Sequence, residues 1–340
     1  MSADPTLRLS VLDLSPISSG SDAGEALRNT LDLARLADRL GYTRYWLAEH
    51  HNTAFIASAA PEVMIAHVAQ VTERMRVGSG GVMLPNHAPL KVAETFRTLE
   101  ALHPGRIDLG LGRAPGTDPV TALALRRSRG AVSANDFPEL LGELMAFFTG
   151  EFPANHPFRR VTAIPTGVPT PEIWLLGSSG FSAQLAAREG MAFAFAHHIN
   201  PGPAVEALRV YRETFQPSEY LQEPMALLAT SVIVAETDER ADELARPMDL
   251  TRLFLEQGRL VPLPTIEEAT NYPYSDFERE HIQANRARAF IGSAGTVREK
   301  LTSFAQQAGV DEIMAMTMVH DHQDRRRSYE LLAEAFCLGD

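Results

Sequence analysis

The feature that most constrains the fold is a regular alternation of short apolar segments with amphipathic helical patterns. Residues 7–14 read as a strand, and within residues 26–40 the apolar positions recur every three or four residues, as in a helix with one buried face. Because each strand pattern is followed by a helix pattern, the sheet should be parallel with right-handed crossovers. Eight such units favour a closed (β/α)8 TIM barrel over an open sheet. Further strands are predicted at residues 45–48, 77–84, 107–111, 173–176, 192–196, 226–235 and 312–318.

Two stretches interrupt the alternation. Residues 113–136 contain glycine, proline and arginine and are predicted to form a loop. A much longer interval separates strands seven and eight, where residues 261–274 hold three prolines and most of the rest is helical in pattern. We therefore predict a single barrel domain over residues 1–340, with an insertion at about residues 237–290 over the barrel mouth, where lids are common.

Charge and composition narrow the class of protein. A formal net charge of −12 and a sequence pI near 5.4 argue against binding to nucleic acid or to an anionic membrane surface, because both need basic patches. The sequence has no apolar run long enough to span a bilayer, and its first residues lack a signal-peptide pattern. Cys337 is the single cysteine, which excludes an internal disulfide and fits a reducing compartment. We therefore expect a cytoplasmic protein.

Polar segments follow several predicted strands, where a β/α barrel carries its chemistry. Glu49-His50-His51 follows strand two, and a neutral imidazole exchanges protons near pH 7. Successive residues at a strand end point to opposite sides, so we expect one of the two histidines to face the mouth; both could equally be satisfied, partly buried side chains. Strand three holds three glycines within residues 78–81, which fits either the close approach of a flat ligand or tight packing in the barrel wall.

A second polar segment, Gly177-Ser178-Ser179-Gly180, lies between strand five and a helix pattern. Free N–H groups at a helix N-terminus, together with serine hydroxyls, form a phosphate cradle. An ordinary serine N-cap with a glycine turn would explain the same residues. Arg113, just past strand four, is a further candidate for phosphate binding, and its alternative is an arginine on the surface.

Two other kinds of site have less support. A nicotinamide-binding Rossmann domain needs G-x-G-x-x-G after an early strand, whereas Gly110-Leu111-Gly112 is followed by Pro115 and lacks the third glycine. A metal site needs three or four ligands at suitable spacing, but the only H-x-H is His320-Asp321-His322, beside a charged run. We therefore predict no bound metal.

Four motifs in order carry a resemblance to a known family. They are Ala48-Glu49-His50-His51, residues 77–85, Leu84-Pro85-Asn86-His87-Ala88-Pro89 with Ala93-Glu94, and Gly105-Arg106-Ile107-Asp108-Leu109-Gly110. On these motifs the chain resembles the bacterial-luciferase-like flavin monooxygenases, from about residue 9 to residue 199 and again, weakly, after residue 292. Within that family it looks most like the single-chain subgroup that includes polyketide-tailoring enzymes. The resemblance implies a (β/α)8 barrel and a homodimer.

The resemblance also implies roles for particular residues. His50 matches the active-site histidine, which assists proton transfer around the flavin. Gly80-Gly81 matches the pair that forms a non-proline cis peptide against the isoalloxazine ring. The flavin phosphate would be held by Arg113 and Ser178, and the rest of its cradle would be Gly177, Ser179, Gly180 and Phe181. The candidate substrate-pocket residues are Met83, His197 and His198.

These features predict an FMN-dependent monooxygenase. The resemblance implies that a separate flavin reductase supplies FMNH2 and that O2 forms a C4a-hydroperoxyflavin. One oxygen atom would then pass to a small organic substrate, in secondary-metabolite (polyketide) biosynthesis. Where luciferase has a reactive cysteine near the flavin this chain has Gly112, so light emission is not implied.

Three alternatives stay open from the sequence. An F420-dependent hydride-transfer enzyme on the same fold would need basic residues near the mouth for the acidic tail of F420, and Arg126, Arg127 and Arg129 are candidates. A metal-dependent barrel hydrolase would hold stoichiometric metal. A flavin-binding protein without catalysis would hold FMN yet consume no oxygen.

Overall fold

The chain forms a closed parallel barrel. The computed structural model describes residues 7–114, 116–126, 136–286 and 288–339. The barrel strands are β1 (Arg8–Asp13), β2 (Arg44–Leu47), β3 (Arg76–Met83), β4 (Ile107–Gly112), β5 (Glu172–Gly177), β6 (Ala192–Ala196), β7 (Ala226–Ala235) and β9 (Glu312–Met316), with β8 described below. Strand β7 pairs with β6 on one side and β9 on the other, and β9 pairs with β1, which closes the circle. The predicted (β/α)8 barrel is therefore confirmed.

Helices follow the strands and cover the barrel wall. The first shows why they form where they do: the Asp22 carboxylate accepts a hydrogen bond from the Glu25 N–H at its start, and Gly41, at φ 88°, ends it. No helix in the described ranges is long and apolar enough to cross a membrane. The helices are α1 (Ala23–Leu40), α2 (Pro61–Val71), α3 (Pro89–Leu102), α4 (Pro119–Arg126), α5 (Phe137–Thr149), α6 (Gly180–Arg188), α7 (Ala204–Thr214), α8 (Asp238–Glu256), α9 (Ile266–Asn271), α10 (Asp276–Arg286), α11 (Ala294–Ala308) and α12 (His322–Ala335).

Two elements correct the sequence prediction. Helix α4 lies inside the segment predicted to be a loop, and Asp118 caps it by accepting hydrogen bonds from the N–H groups of Val120 and Thr121. Strand β8 (Ala289–Ser293) lies inside the insertion, after α8, α9 and α10, and pairs with the outer half of β7. The structure thus extends the sheet by one strand beyond the barrel circle.

The two ends of the barrel differ in chemistry. At the amino-terminal ends of the strands, the buried Arg44 forms ion pairs with the buried Asp108 and Glu312 and with the partly exposed Glu172. This network uses residues that begin β2, β5 and β9, so it lies on the stability face of a β/α barrel. The opposite end of the barrel, at the carboxyl ends of the strands, is where a β/α barrel binds its ligand.

Candidate active site

A cavity of about 790 Å³ opens at the carboxyl ends of the barrel strands. Its volume is in the range of small-molecule sites. Helix α8 of the insertion contributes Met248, Arg252 and Leu255 to one wall. Among the sequence-predicted site residues, the cavity lining omits only Gly81, Gly180, Phe181 and His197. The structure therefore brings most of the predicted residues to one place.

Glu49 connects three segments beside the cavity. Its buried carboxylate accepts hydrogen bonds from His51 Nε2 at 2.9 Å, from His87 Nε2 at 3.0 Å and from the Met83 N–H at 2.8 Å. Burial alone would raise the pKa of Glu49, but these hydrogen bonds, with that from His87 the largest, lower it below its ordinary value. In return, Glu49 raises the pKa of His87 against the lowering effect of burial. Glu49 is thus an anion that fixes the surroundings of His50.

His50 is the neighbouring side chain that remains free for chemistry. Its backbone N–H donates to the Ser58 carbonyl at 2.9 Å, while its Nδ1 is buried and has no hydrogen-bond partner among the residues described. Burial lowers the pKa of His50, and the Glu49 charge offsets this only in part, so the ring is neutral at pH 7. His51 also lines the cavity, contrary to the expectation that only one histidine would face the mouth, but its Nε2 is held by Glu49.

The glycines of β3 serve both packing and the cavity. The peptide bond between Gly80 and Gly81 is cis, as the resemblance implies. A Cβ on Gly81 would lie 2.7 Å from the Gly110 carbonyl oxygen of β4, so the two strands need glycine to approach this closely. Gly80 lines the cavity, where a Cβ would lie 2.8 Å from Leu12. Tight packing in the barrel wall therefore requires both glycines, and Gly80 also borders the cavity, so the approach of a flat ligand stays a prediction.

Met83, a predicted substrate-pocket residue, lines the cavity beside Gly112. A Cβ on Gly112 would lie 2.7 Å from the Met83 sulfur. A larger residue at position 112, such as the cysteine of luciferase, would therefore displace the methionine. Glycine at position 112 thus leaves room for the end of the Met83 side chain.

The segment after β5 has the features of a phosphate cradle. Ser178 and Ser179 line the cavity, and helix α6 begins at the next residue. Ser179 occupies the N-cap position but makes no capping hydrogen bond with its side chain, so the hydroxyl and the first N–H groups of the helix are left for a ligand. The space where a Cβ of Gly180 would lie is open to 4 Å.

Arg113 completes this cradle from the end of β4. Its guanidinium lies 4.2 Å above the Phe181 ring, which holds it beside the start of α6, and it makes no ion pair with any residue described. Gly177 is needed at the end of β5 because a Cβ there would lie 2.4 Å from the Ser182 Cβ. A guanidinium, serine hydroxyls and an uncapped helix N-terminus fit a phosphate group.

His198 lines the cavity from the end of β6. Its Nδ1 donates to the Ala229 carbonyl at 3.0 Å, because a carbonyl only accepts, so Nε2 carries a lone pair in the neutral ring. Burial, reinforced by the positive charge of Arg252, lowers the pKa of His198 to about 4. His198 is therefore a neutral hydrogen-bond acceptor in the cavity wall at pH 7.

His197 does not belong to the substrate pocket predicted from the sequence. Its Nδ1 lies 2.9 Å from the Thr230 Oγ1, and its ring packs against Phe290 and Phe304. The physical reason is the alternation of side chains along β6 and the turn that follows: His198 faces the cavity, so its neighbour faces the outer layer.

Sequence reasoning gave no role to Glu49 and missed Arg252. A carboxylate directly before two histidines was the available signal for Glu49. For Arg252 the signal was an arginine within the apolar stretch of residues 250–255, where the neighbours Leu250, Leu253 and Phe254 are buried. Met248, Arg252 and Leu255 are spaced four and three apart, so they share one face of α8.

The structure also shows the surroundings of the residues considered for a metal site and for the tail of F420. Within the described ranges, His, Cys, Asp and Glu do not group into a set of three that could hold a metal ion. His320 Nε2 contacts Ser19 and His322 Nε2 contacts Asp32, so the H-x-H histidines have separate partners. Arg126, a candidate for the F420 tail, donates to Asn86, while Arg127 and Arg129 lie outside the described residues.

Comparisons with known proteins show the family to which the chain belongs. A family model described as luciferase-like monooxygenase matches residues 7–312. A luciferase-like monooxygenase of Escherichia coli (strain K12) is 44% identical over 328 residues, covering 96% of each chain. An N-acetyl-S-alkylcysteine monooxygenase of Bacillus subtilis (strain 168) is 36% identical over 331 residues, covering 97% of this chain and 98% of the relative. The crystal structure of apo-MsnO8 has 40% identity and a TM-score of 0.90, covering 98% of this chain and 99% of that one.

A closed (β/α)8 barrel that matches luciferase-like monooxygenases in sequence and in fold defines a class of flavin-dependent barrel enzymes. The chain belongs to the luciferase-like monooxygenase family. It is a monooxygenase of that family.

Proposed function

We propose that this enzyme uses FMN, receives it in reduced form from a separate flavin reductase, and transfers one oxygen atom from O2 to an organic substrate. The observation that carries the proposal is that an uncapped helix N-terminus, the cis pair Gly80-Gly81 and the neutral His50 converge on one cavity or its wall. Bound reduced FMN would supply the electrons that activate O2. A separate reductase is proposed because the sequence lacks a complete nicotinamide-binding motif.

Each residue of the chain would have a distinct part. Arg113, Ser178 and Ser179 would hold the phosphate, together with the N–H groups at the start of α6. Gly80 would lie against the ring. His50 Nδ1 would take up and return the proton that moves during oxygen transfer, since the nitrogen is unpartnered and the ring is neutral.

The insertion would exclude water from the reaction. Residues 237–290 form one wall of the cavity through α8 and the loop after it, with Leu255 and Leu260 among the lining residues. These two leucines are also among the exposed large apolar side chains, so closure over a bound ligand would bury them. We therefore propose that this segment acts as the lid of a single barrel domain.

The substrate and the setting are proposed by similarity. The Bacillus subtilis relative is named for N-acetyl-S-alkylcysteine, and the resemblance to tailoring enzymes favours apolar polyketides. Both classes belong in a substrate screen. We also propose a cytoplasmic homodimer, as in the family that the sequence resembles.

Oxygen transfer from labelled O2 tests the proposal. The enzyme is mixed with chemically reduced FMN and each substrate class under 18O2, and the label in the product and the released hydrogen peroxide are measured. We expect incorporation of one labelled oxygen atom by the wild type. His50→Ala should lower product formation roughly 100-fold, the size of a typical general acid–base contribution, while the affinity for FMN stays within a few fold.

His67→Ala is the matched control, because His67 is exposed on α2, outside the cavity lining. Unchanged product formation in His50→Ala would show that the role of His50 is wrong. If no product carries the label and the enzyme binds F420 tightly, oxygen transfer is wrong and hydride transfer becomes the proposed function of the site.

A further inference from the structure

Arg252 is a cation in the cavity wall that the proposed mechanism does not use. Arg252 is half-buried on α8 and lines the cavity between Met248 and Leu255. Among the described residues, its guanidinium has no hydrogen-bond or ion-pair partner. A half-buried cation without a hydrogen-bonding partner loses part of its hydration, so a partner from outside the chain would restore its interactions.

The carboxylates close enough to act on Arg252 are already bound elsewhere. Asp249 and Glu256 both raise the pKa of Arg252, but burial outweighs them and the pKa is lowered. Asp249 Oδ2 accepts from Arg286 Nε at 2.9 Å and Nη2 at 2.7 Å. Glu256 Oε1 lies 2.9 Å from His281 Nε2. The pair Arg252–Glu256, at a spacing that favours an ion pair on a helix, is therefore not formed.

Arg252 is also separate from the phosphate cradle. Arg113 follows β4, whereas Arg252 follows β7, three strands further around a circle of eight. The charged groups that act on Arg252 are Asp249, Glu256 and the like charge of Arg288, and its own charge acts on His198 after β6. An anion at Arg252 would thus be held by α8, whereas phosphate at the cradle would be held by the start of α6 and the end of β4.

We infer that the substrate carries a carboxylate that Arg252 binds, with an apolar body that extends across the cavity toward His50; this rests on the proposed function. A single guanidinium matches a carboxylate as a two-pronged hydrogen-bond donor. A phosphate dianion would demand more donors, which are found at the cradle instead. His198 Nε2, the free acceptor nearby, would accept a hydrogen bond from a donor group on the same substrate.

Paired probes of equal shape test the inference. The FMN-loaded enzyme is titrated calorimetrically with 6-phenylhexanoate and with 6-phenylhexanamide, which differ in charge and little in size. We expect the wild type to bind the acid at least about tenfold more tightly than the amide. Arg252→Met should remove this preference by weakening the acid about tenfold, and should leave the amide within about twofold; Arg252→Lys should restore part of the preference.

Arg259→Met is the matched control. Arg259 is exposed just after α8, lies over the Phe254 ring at 3.7 Å and is absent from the cavity lining, so the variant makes the same change of charge nearby. It should keep the preference for the acid. Equal affinity for the acid and the amide in the wild type overturns the inference, and so does the absence of binding of either. It is also overturned if Arg259→Met loses as much affinity for the acid as Arg252→Met does.

A second titration separates the two sources of a carboxylate, because the tail of F420 also carries them. If Arg252→Met weakens F420 and leaves the acid probe unaffected, Arg252 is a cofactor contact and the inference is overturned. The outcomes also separate this inference from the proposed function. Arg252-dependent binding of the acid without oxygen transfer refutes the function alone, and oxygen transfer without acid preference refutes the inference alone.

Discussion

At the scale of single residues, Glu49 controls more of the site than its neighbour His50 does. The Glu49 carboxylate is buried and holds His51, His87 and the backbone of Met83 at once. Its charge raises the pKa of both His87 and His50 above the values that burial alone would give them. Glu49 therefore sets how readily a proton resides on His50 and on His87.

Glu49→Gln should make this control measurable. The amide is nearly isosteric but uncharged, so the pKa of His87 and that of His50 should both fall, because burial then acts without the opposing charge. We expect roughly tenfold slower oxygen transfer, with the low-pH limb of the pH–rate profile moved to lower pH. NMR titration of the histidine Cε1–H resonances measures the pKa values directly.

Glu256→Gln is the control for this experiment, since Glu256 is a partly exposed carboxylate bound to a different histidine, His281. It should leave the titration of His87 unchanged. A His87 pKa that stays in place in Glu49→Gln would mean that some group other than Glu49 sets the protonation of this histidine.

At the scale of elements, the junction of β5 and α6 is a closely packed part of the proposed FMN site. Gly177 ends the strand, and a Cβ there would lie 2.4 Å from Cβ and 2.5 Å from Oγ of Ser182. Ser182 is buried on the first turn of α6, so it cannot move without the helix. The position of the helix N-terminus relative to the cavity thus depends on this glycine.

Gly177→Ala should therefore shift the start of α6 and weaken FMN. We expect the dissociation constant for oxidised FMN to rise roughly tenfold or more, because the N–H groups would no longer converge on the phosphate. Quenching of FMN fluorescence on binding gives the measurement. Gly142→Ala, on the exposed side of α5 with open space around its Cβ position, should bind FMN as the wild type does. An unaltered FMN affinity in Gly177→Ala would show that the junction tolerates a Cβ and does not set the cradle.

The elements also show what the sequence can and cannot predict. The barrel strands were predicted because each is an apolar run with a helix pattern behind it. Strand β8 was missed because Ala289–Ser293 is short and half-buried, and it forms only by pairing with the outer half of β7. The chemistry at Arg252 was equally hidden, since its lack of a partner depends on Arg286 binding Asp249 from another helix. Both strand β8 and the unpartnered state of Arg252 depend on contacts between elements far apart in the sequence, which a local sequence pattern does not predict.

At the scale of the whole molecule, a buried ion pair joins the first and last elements. Asp13 ends β1, and its carboxylate accepts hydrogen bonds from Arg325 of α12 and from the Tyr45 hydroxyl of β2. Arg325 also donates to the Thr317 carbonyl at 3.1 Å. Burial raises the pKa of Asp13, but Arg325 and Tyr45 together lower it below the ordinary value of 3.8.

The sign of the pH dependence follows from this lowered pKa. A carboxylate whose pKa is lower in the folded state contributes stability above its unfolded pKa, and loses it as the pH falls through the folded pKa. For Asp13 the contribution is complete at pH 5–7 and declines below the unfolded value near 3.8. The link between β1 and α12 should therefore be strongest at neutral pH.

Arg325→Met should reverse the pH dependence of stability that Asp13 contributes. It leaves Asp13 buried without its cation, at a cost of about 3–5 kcal/mol at pH 7, and the pKa of Asp13 should then rise because burial is no longer offset. The difference in the free energy of unfolding between wild type and variant, measured by urea at a series of pH values, should shrink as Asp13 becomes protonated. Arg326→Met, which removes a partly exposed pair with Asp32, should cost at most about 1 kcal/mol. A difference that stays constant from pH 7 to pH 4 would mean that Arg325 stabilises the barrel by packing and by its bond to Thr317, with the charge of Asp13 contributing little.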